Sequence, residues 1–437
     1  MNLPSYTKVN RAYSHKAIHA WALYDFANSS FPTIIGTFIY ATYFTKAIAE
    51  DEVLGLTQWS WAVTFTGLVV AFLSPFVGAL ADQGRLRKRF LAVCIVCASA
   101  GAGALFFPTE GQVLFALSAF AFGHIAYETG NVFYNAYLPG LVPSNRIGSV
   151  SGLGQFYGYI GGIVCLVVAL YGLVQADSPL FGFSTAEGEN IRATSLLVTG
   201  WFVLFSVPIL SFVRSQSDDR GPPRRQLFRG ATAQLRTTLT EIRRRHKQVL
   251  RFLIARLLYN DGLVTIFAFG GIYAAGTFGF EVADVIIFGI ALNLAAGVGA
   301  LAFGFLDDSV GGKTTICVTL IGLCCFTALG VLAPNATWFW VAGLGAGLMV
   351  GPNQAASRSL MGRFAPVKHE NEFFGFYALS GKATAFMGPL LMGQATLLLG
   401  SQRAGMATIL LFFVAGLVLL LRVDEQAGMT EAGPDEP

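Results

Sequence analysis

GALADQGRLRK, residues 78–88, lies between two stretches apolar enough to sit in lipid, 58–80 and 90–108. A glycine, an aspartate four residues on, a second glycine and a run of cations separate them. A weaker copy, GFLDDSVGGK, lies at 304–313, roughly half the chain away. It keeps Gly304, Asp308 and Lys313. Other pairs keep a similar offset. LYDFANSS (23–30) answers LYNDGLVT (258–265), and YNAYLPGLVP (134–143) answers PNQAASRSLM (352–361). A repeat carried by membrane segments of the same orientation is the pattern of transporters built from two parallel halves.

The composition supports a membrane chain. Of 437 residues, 54% are hydrophobic and only 12% charged, about half the charge of an ordinary soluble protein. Mean hydropathy is +0.59. Twelve apolar runs are long enough to span a bilayer: 19–46, 58–80, 90–108, 112–139, 149–174, 193–213, 249–276, 283–306, 314–333, 336–360, 371–399 and 404–422. The expected fold is therefore all-α and integral to the membrane. The first run is too long for a signal h-region and has no small-residue cleavage site, so it is expected to remain and direct insertion. The six cysteines all fall in these runs and read as small packing hydrophobes.

Lysine and arginine set the orientation. With the N-terminus in the cytoplasm, cytoplasmic segments hold 24 of the 29, outer loops three, and spans two, Arg256 and Lys382. That asymmetry places both termini in the cytoplasm. The net charge of +4 then reflects topology, and no nucleic-acid partner is indicated. The longest connection, 214–248, divides the spans six and six. The expected organisation is a bundle over 1–213, a basic linker over 214–248, a second bundle over 249–424 and a disordered tail over 425–437. The linker reads either as an amphipathic helix on the anionic inner leaflet or as a solvated topology determinant.

Gly78, Asp82, Gly84, Arg85, Arg87 and Lys88 resemble the loop between the second and third helices of the major facilitator superfamily, and Gly304, Asp308 and Lys313 form its second copy. WALYDFANSSF (21–31) is similar to the helix 1 signature of the vacuole-effluxer-like branch. Fungal members of that branch export amino acids from the vacuole. The resemblance implies two six-helix bundles, alternating access, and a cavity lined by spans 1, 4, 7 and 10. It implies an amino acid or similar zwitterion as cargo. It also implies a bacterial cytoplasmic membrane or, in a eukaryote, a vacuolar one. Independently of the name, Asp82 can pair with an arginine or accept from the amides of a helix N-terminus. Such a contact can hold one state and break in the other. Otherwise the cations serve only topology.

Ionisable side chains inside spans are expensive and usually face a cavity. Here they fall at similar depths on the four implied spans: Tyr24, Asp25 and Asn28; His124, Glu128, Asn131 and Asn135; Arg256, Asn260 and Asp261; Asn353 and Gln354. Lys382 adds a cation on span 11. His124, Glu128, Asn131 and Asn135 follow i, i+4, i+7, i+11, one stripe of a helix. These residues read as a substrate cavity or as hydrogen-bonding glue between helices. Glu128 is the first candidate for proton coupling, as a desolvated carboxyl, with Asp25 and Asp261 as alternates. Arg256 and Lys382 can pair with these acids or hold a substrate carboxylate. Pro32 predicts a kink beside Asn28.

GGKTT (311–315) lacks the earlier glycine a phosphate-binding loop requires, since position 307 is Asp. No cofactor or metal is indicated, and the expected partners are a small-molecule substrate and the bilayer, around a monomer. The leading reading is a secondary transporter of a small polar solute. Uniport of a peptide, nucleoside, sugar or drug is the alternative. A membrane transferase is remote, because Asp307 and Asp308 have no second acidic pair nearby.

Overall fold

The computed structural model describes residues 14–84, 86–176, 178–213 and 224–433, and these are helical throughout, joined by short turns. The first half contains α1 (His15–Asn28), α2 (Tyr40–Tyr43), α3 (Glu52–Gly84), α4 (Arg87–Ala104), α5 (Val113–Ala136), α6 (Leu138–Leu141), α7 (Ile147–Ala169) and α8 (Glu189–Phe212). A linker helix, α9 (Arg224–Arg244), follows. The second half contains α10 (Lys247–Phe278), α11 (Val282–Val310), α12 (Gly312–Leu332), α13 (Ala336–Phe364), α14 (Glu370–Lys382), α15 (Met387–Leu399), α16 (Gln402–Leu421) and α17 (Glu425–Glu431).

Eight of the described helices are long and apolar enough to cross a membrane. The remaining apolar runs map to α4, to α13 and to two interrupted segments. The first, from α1 to Ile48, passes into π-helical pitch at Phe31–Phe38. Pro32 begins that segment and supplies no amide hydrogen to the turn before it. The second is span 11, broken between α14 and α15.

Two apolar cores reproduce the two halves. One joins buried residues between Ile18 and Val213, and the other is built mainly from residues between Ile242 and Val423. The halves meet along two pairings, α3 with α14 and α7 with α11, with α13 also against α7. The α3–α14 pairing is tight at the end of the molecule that carries the basic loops, called here the basic face. Along α3, Val70, Ala71, Ser74 and Ala79 are fully buried, whereas Val53 and Trp61 are 78% and 70% exposed. Residues 370–377 of α14 are buried, whereas Leu397, Leu398 and Leu399 of α15 are all exposed. Three consecutive residues cover most of a helix circumference, so that end of α15 is uncovered all round. Along α3 and span 11 the halves are closed at the basic face and diverge toward the opposite one.

One expectation is corrected. The tail is not wholly disordered. Asp424 accepts from the Ala427 amide (3.0 Å), and Glu425 accepts from the Gly312 and Lys313 amides (both 2.9 Å). A carboxylate on the first amides of α12 satisfies donors left over by helix geometry, and this docks α17. Residues 434–437 lie outside the described chain. Part of α9 packs against the protein, too. Ala231 packs with Ala79 and Leu80 of α3, and Thr238 and Ile242 are buried too. Residues 214–223 of the linker lie outside the described residues.

Candidate functional site

The repeated aspartates do the same thing on opposite sides. Asp82 ends α3, in the first half, and accepts from the Asn371 (3.2 Å) and Glu372 (2.8 Å) amides of α14, in the second. Asp308 ends α11, in the second half, and accepts from the Gly148 (2.8 Å) and Ser149 (3.1 Å) amides of α7, in the first. In each case these are the second and third residues of the partner helix. The glycine four residues earlier makes the approach possible. A Cβ at Gly78 would collide with the backbone of Asn371 and Glu372, and one at Gly304 would press on Gly148 O at 3.0 Å and Ser149 Cα at 3.1 Å.

Arg87 reinforces the first contact, donating to Glu370 Oε2 (2.6 Å), Asn371 Oδ1 (2.8 Å) and Ala136 O (2.8 Å). Lys313 stays within its own half, donating to Leu421 O (3.2 Å). Lys88 enters no ion pair among the described residues, Arg85 lies outside them, and Gly84 closes α3. On α13, Arg363 contacts Asp307 (2.5 Å) and Glu425 (3.5 Å) in its own half and Ser144 O (3.2 Å) in the other.

Deeper, α13 reaches across again. Arg358 donates to Asp25 Oδ2 (2.8 Å), Ser151 Oγ (2.9 Å) and Ser151 O (2.6 Å), with Asn135 Oδ1 at 3.5 Å. Its guanidinium lies 4.9 Å from the Trp21 ring. Every one of these partners belongs to the first half. The Tyr134 hydroxyl donates to the same Asp25 oxygen at 2.8 Å. One turn further along α13, Gln354 Oε1 accepts from Gln155 (2.8 Å) and Tyr159 (3.1 Å) of α7. Arg358 is not among the candidate residues read from the sequence. Its place as the lone cation of the apolar run 336–360 was the available signal.

The second deep ion pair joins Glu128 of α5 to Lys382 at the end of α14, 2.6 Å apart. Lys382 keeps about a third of its side chain exposed, at 33%. His124 Nε2 lies 3.7 Å from Glu128 Oε1, and its Nδ1 lies 2.8 Å from Thr66 Oγ1. Glu128 is thus half of an ion pair with Lys382, one of the two cations the sequence offers to the membrane acids.

Other candidates sit elsewhere. Tyr24 is buried in the first core, stacked on Tyr134 (4.7 Å). Asn28 donates to Asn131 (2.8 Å), joining α1 to α5 within one half. Asn353 is wholly buried and donates to Thr319 (3.0 Å) within the other. Arg256 meets no acid among the described residues. It donates to Tyr377 O (2.6 Å) and Ser380 Oγ (2.8 Å), and lies 3.5 Å over the Tyr377 ring. Asn260 donates to Gly381 O (2.9 Å). Together they pin the C-terminal turn of α14 where span 11 breaks, because the break frees backbone carbonyls that need donors. Asp261 is 1% exposed, faces Thr384, and has no ion-pair partner among the described residues.

This arrangement resembles known transporters. A family model described as "Vacuole effluxer Atg22 like" matches residues 60–433. The uncharacterized MFS-type transporter YxiO of Bacillus subtilis (strain 168) is 25% identical over 414 residues, covering 94% of this chain and 95% of that one. Autophagy-related protein 22-1 of Neosartorya fischeri is 26% identical over 309 residues, covering 65% of this chain and 49% of the fungal protein. The chain thus spans about half the length of that fungal relative. Among solved structures, the proton:xylose symporter XylE superposes with a TM-score of 0.72 at 12% identity, over 94% of each chain. The transporter FucP in its outward conformation gives 0.71 at 12% identity, over 95% of this chain and 100% of that one. At such identities the structural likeness concerns the fold.

Proposed function

The chain belongs to the vacuole effluxer Atg22-like family, within the major facilitator transporters, and from that premise we propose that it carries a small zwitterion of the amino-acid kind by alternating access. The observation that carries this reading is the Glu128–Lys382 pair. It places an acid and a base, one from each half, 2.6 Å apart and partly open to solvent. A zwitterion brings its own ammonium and carboxylate. It can exchange partners with this pair without leaving either charge unpaired in a low-dielectric site. A ligand with only one charge leaves one member uncompensated.

The closed basic face is the cytoplasmic side in this reading, given the distribution of cations. The state described here then loads from outside the cytoplasm or from the vacuolar lumen. Opening the basic face requires releasing both aspartate caps and the Arg358 and Arg87 contacts. Alternating access follows when the halves rock about the level of the Glu128–Lys382 pair.

Proton coupling is assigned to the membrane carboxyls Asp261, Glu128 and Asp25. Asp261 is supported by its burial without a cation partner, and Glu128 by its pairing at the half-to-half boundary. Uptake driven by a pH gradient in liposomes tests this. Gradient-driven transport that persists in Asp261→Asn, Glu128→Gln and Asp25→Asn overturns it.

A thermal-shift screen of the purified protein tests the substrate class, because a ligand that binds the folded state raises its stability by mass action. Free amino acids should stabilise it, and their amine-only and carboxylate-only analogues should not. Stabilisation by a sugar or nucleoside alone contradicts the proposal.

A further inference from the structure

Asp82, His369 and Glu372 meet where α3, the turn before α14 and the linker helix α9 converge. One potential ligand atom from each lies within 4.8 Å of the others. His369 Nδ1 and Glu372 Oε2 are 3.4 Å apart. Two ligands of a tetrahedral ion bound at about 2.1 Å are separated by about 3.4 Å, so this pair already has the spacing of a shared metal. Asp82 has to close by at most about 1.4 Å, within the reach of a side-chain torsion.

Two further observations point to a cation. Glu372 is completely buried, yet its Oε1 has no hydrogen-bond partner. A buried carboxylate oxygen without a donor is costly. Arg87, at the start of α4, is committed to Glu370 and Asn371. The cluster therefore gathers two carboxylates around one imidazole.

The centre is held by Gln234 of α9. Its Nε2 lies 2.6 Å from Glu372 Oε2 and 3.0 Å from His369 Nδ1. A half-turn of that amide exchanges a donor for the Oε1 acceptor, which makes Gln234 a fourth ligand in place of a plug. Asp82 can cap α14 and bind an ion together, because Oδ2 accepts only from the Glu372 amide and keeps a second lone pair, whereas Oδ1 is taken by the Asn371 amide and side chain.

We propose that Asp82, His369, Glu372 and Gln234 form a site for a divalent transition-metal ion that staples the first half, the linker and the second half together at the closed basic face. One imidazole nitrogen with carboxylate and amide oxygens suits zinc-type ions better than Mg2+, which requires near-ideal octahedral oxygen geometry. The ion stabilises the state in which α3 and α14 touch, and so slows opening of the basic face.

The test is calorimetric titration of Zn2+ alone into the full-length purified protein, with thermal shift as a second readout. One saturable site should appear, with a rise in thermal midpoint. His369→Ala should weaken binding at least tenfold and remove the rise, and Glu372→Gln should do the same. His369 is about one-third exposed (34%), so its removal tests the site even if the buried Glu372 variant fails to fold. Absence of saturable binding in the unmodified protein overturns the proposal. So does binding that survives unchanged in His369→Ala.

Discussion

Asp25 and Arg358 stand 333 residues apart in the chain and 2.8 Å apart in the fold. One lies on α1 and the other on α13, so their ion pair crosses from one half of the transporter to the other. Both are largely buried. Removing one partner from a buried pair typically destabilises by about 3–5 kcal/mol, because the survivor is left uncompensated. Asp25→Asn and Arg358→Gln should each lower the thermal midpoint and abolish transport. The double variant should recover part of the loss, with a coupling of about 0.5–3 kcal/mol. Strictly additive effects in a double-mutant cycle would show that the pair is not energetically joined. Arg358→Lys should not rescue, since one ammonium cannot serve Asp25, Ser151 Oγ and Ser151 O as the planar guanidinium does.

Asp82 and Asp308 act at separate helix ends, so their contributions should add. A carboxylate on helix N-terminal amides is worth about 0.3–2 kcal/mol. Asp82→Ala and Asp308→Ala should each raise the population open at the basic face by up to about thirtyfold. Cysteine alkylation rates at that face, in a background without native cysteines, check this. Equal rates in parent and variants would remove the caps from the account.

The glycines divide by what they touch. A Cβ at Gly152 of α7 would collide with the Ala300 carbonyl of α11 across the half-to-half contact, whereas one at Gly67 of α3 meets nothing within 4 Å. Gly152→Ala should destabilise the closed basic face by about 1–3 kcal/mol. Gly67→Ala should be neutral or stabilise by up to about 1 kcal/mol through helix propensity. Chemical denaturation of the two variants side by side gives the comparison.

How far the sequence could be read follows from which contacts are local. The apolar runs, the half-chain repeat and the i, i+4, i+7, i+11 stripe of α5 depend on neighbours along one helix, and periodicity reports them. The Gly78 and Asp82 spacing also offered amide capping as one of two roles for the carboxylate, beside an arginine pair, and the amide contacts are the ones formed. Partner choice was not legible. Glu128 finds Lys382 across 254 positions and Arg87 finds Asn371 across 284, and no local pattern encodes such matches. Arg256 has partners the sequence did not offer, for a related reason. Its partners are backbone and hydroxyl oxygens, Tyr377 O and Ser380 Oγ, exposed by the break in span 11, and the sequence does not show which carbonyls a broken helix leaves free. Glu425 was missed because α17 is short and polar. It is held by the α12 amides it caps, and composition alone reads it as tail.

The Glu128–Lys382 pair should discriminate between a folding role and a recognition role. Glu128→Gln and Lys382→Met should each remove amino-acid-dependent thermal stabilisation. The charge-swapped double variant, Glu128→Lys with Lys382→Glu, should restore the thermal midpoint, because the pair is re-formed. It should not restore transport, because acid and base then face a substrate in reversed order. Recovery of transport together with stability would make the pair structural.

The central claim is that the two halves alternate, closed at one face while open at the other. Spin labels at Arg89 and Ser309 report on the basic face, and labels at the exposed Val53 and Leu398 report on the opposite face. Double electron–electron resonance distances for both pairs, in the parent and in the Asp82→Ala/Asp308→Ala variant, test the claim most directly. The account predicts opposite changes in the variant, with a longer Arg89–Ser309 distance and a shorter Val53–Leu398 distance. Distances that stay fixed at both faces, or lengthen at both, would contradict it.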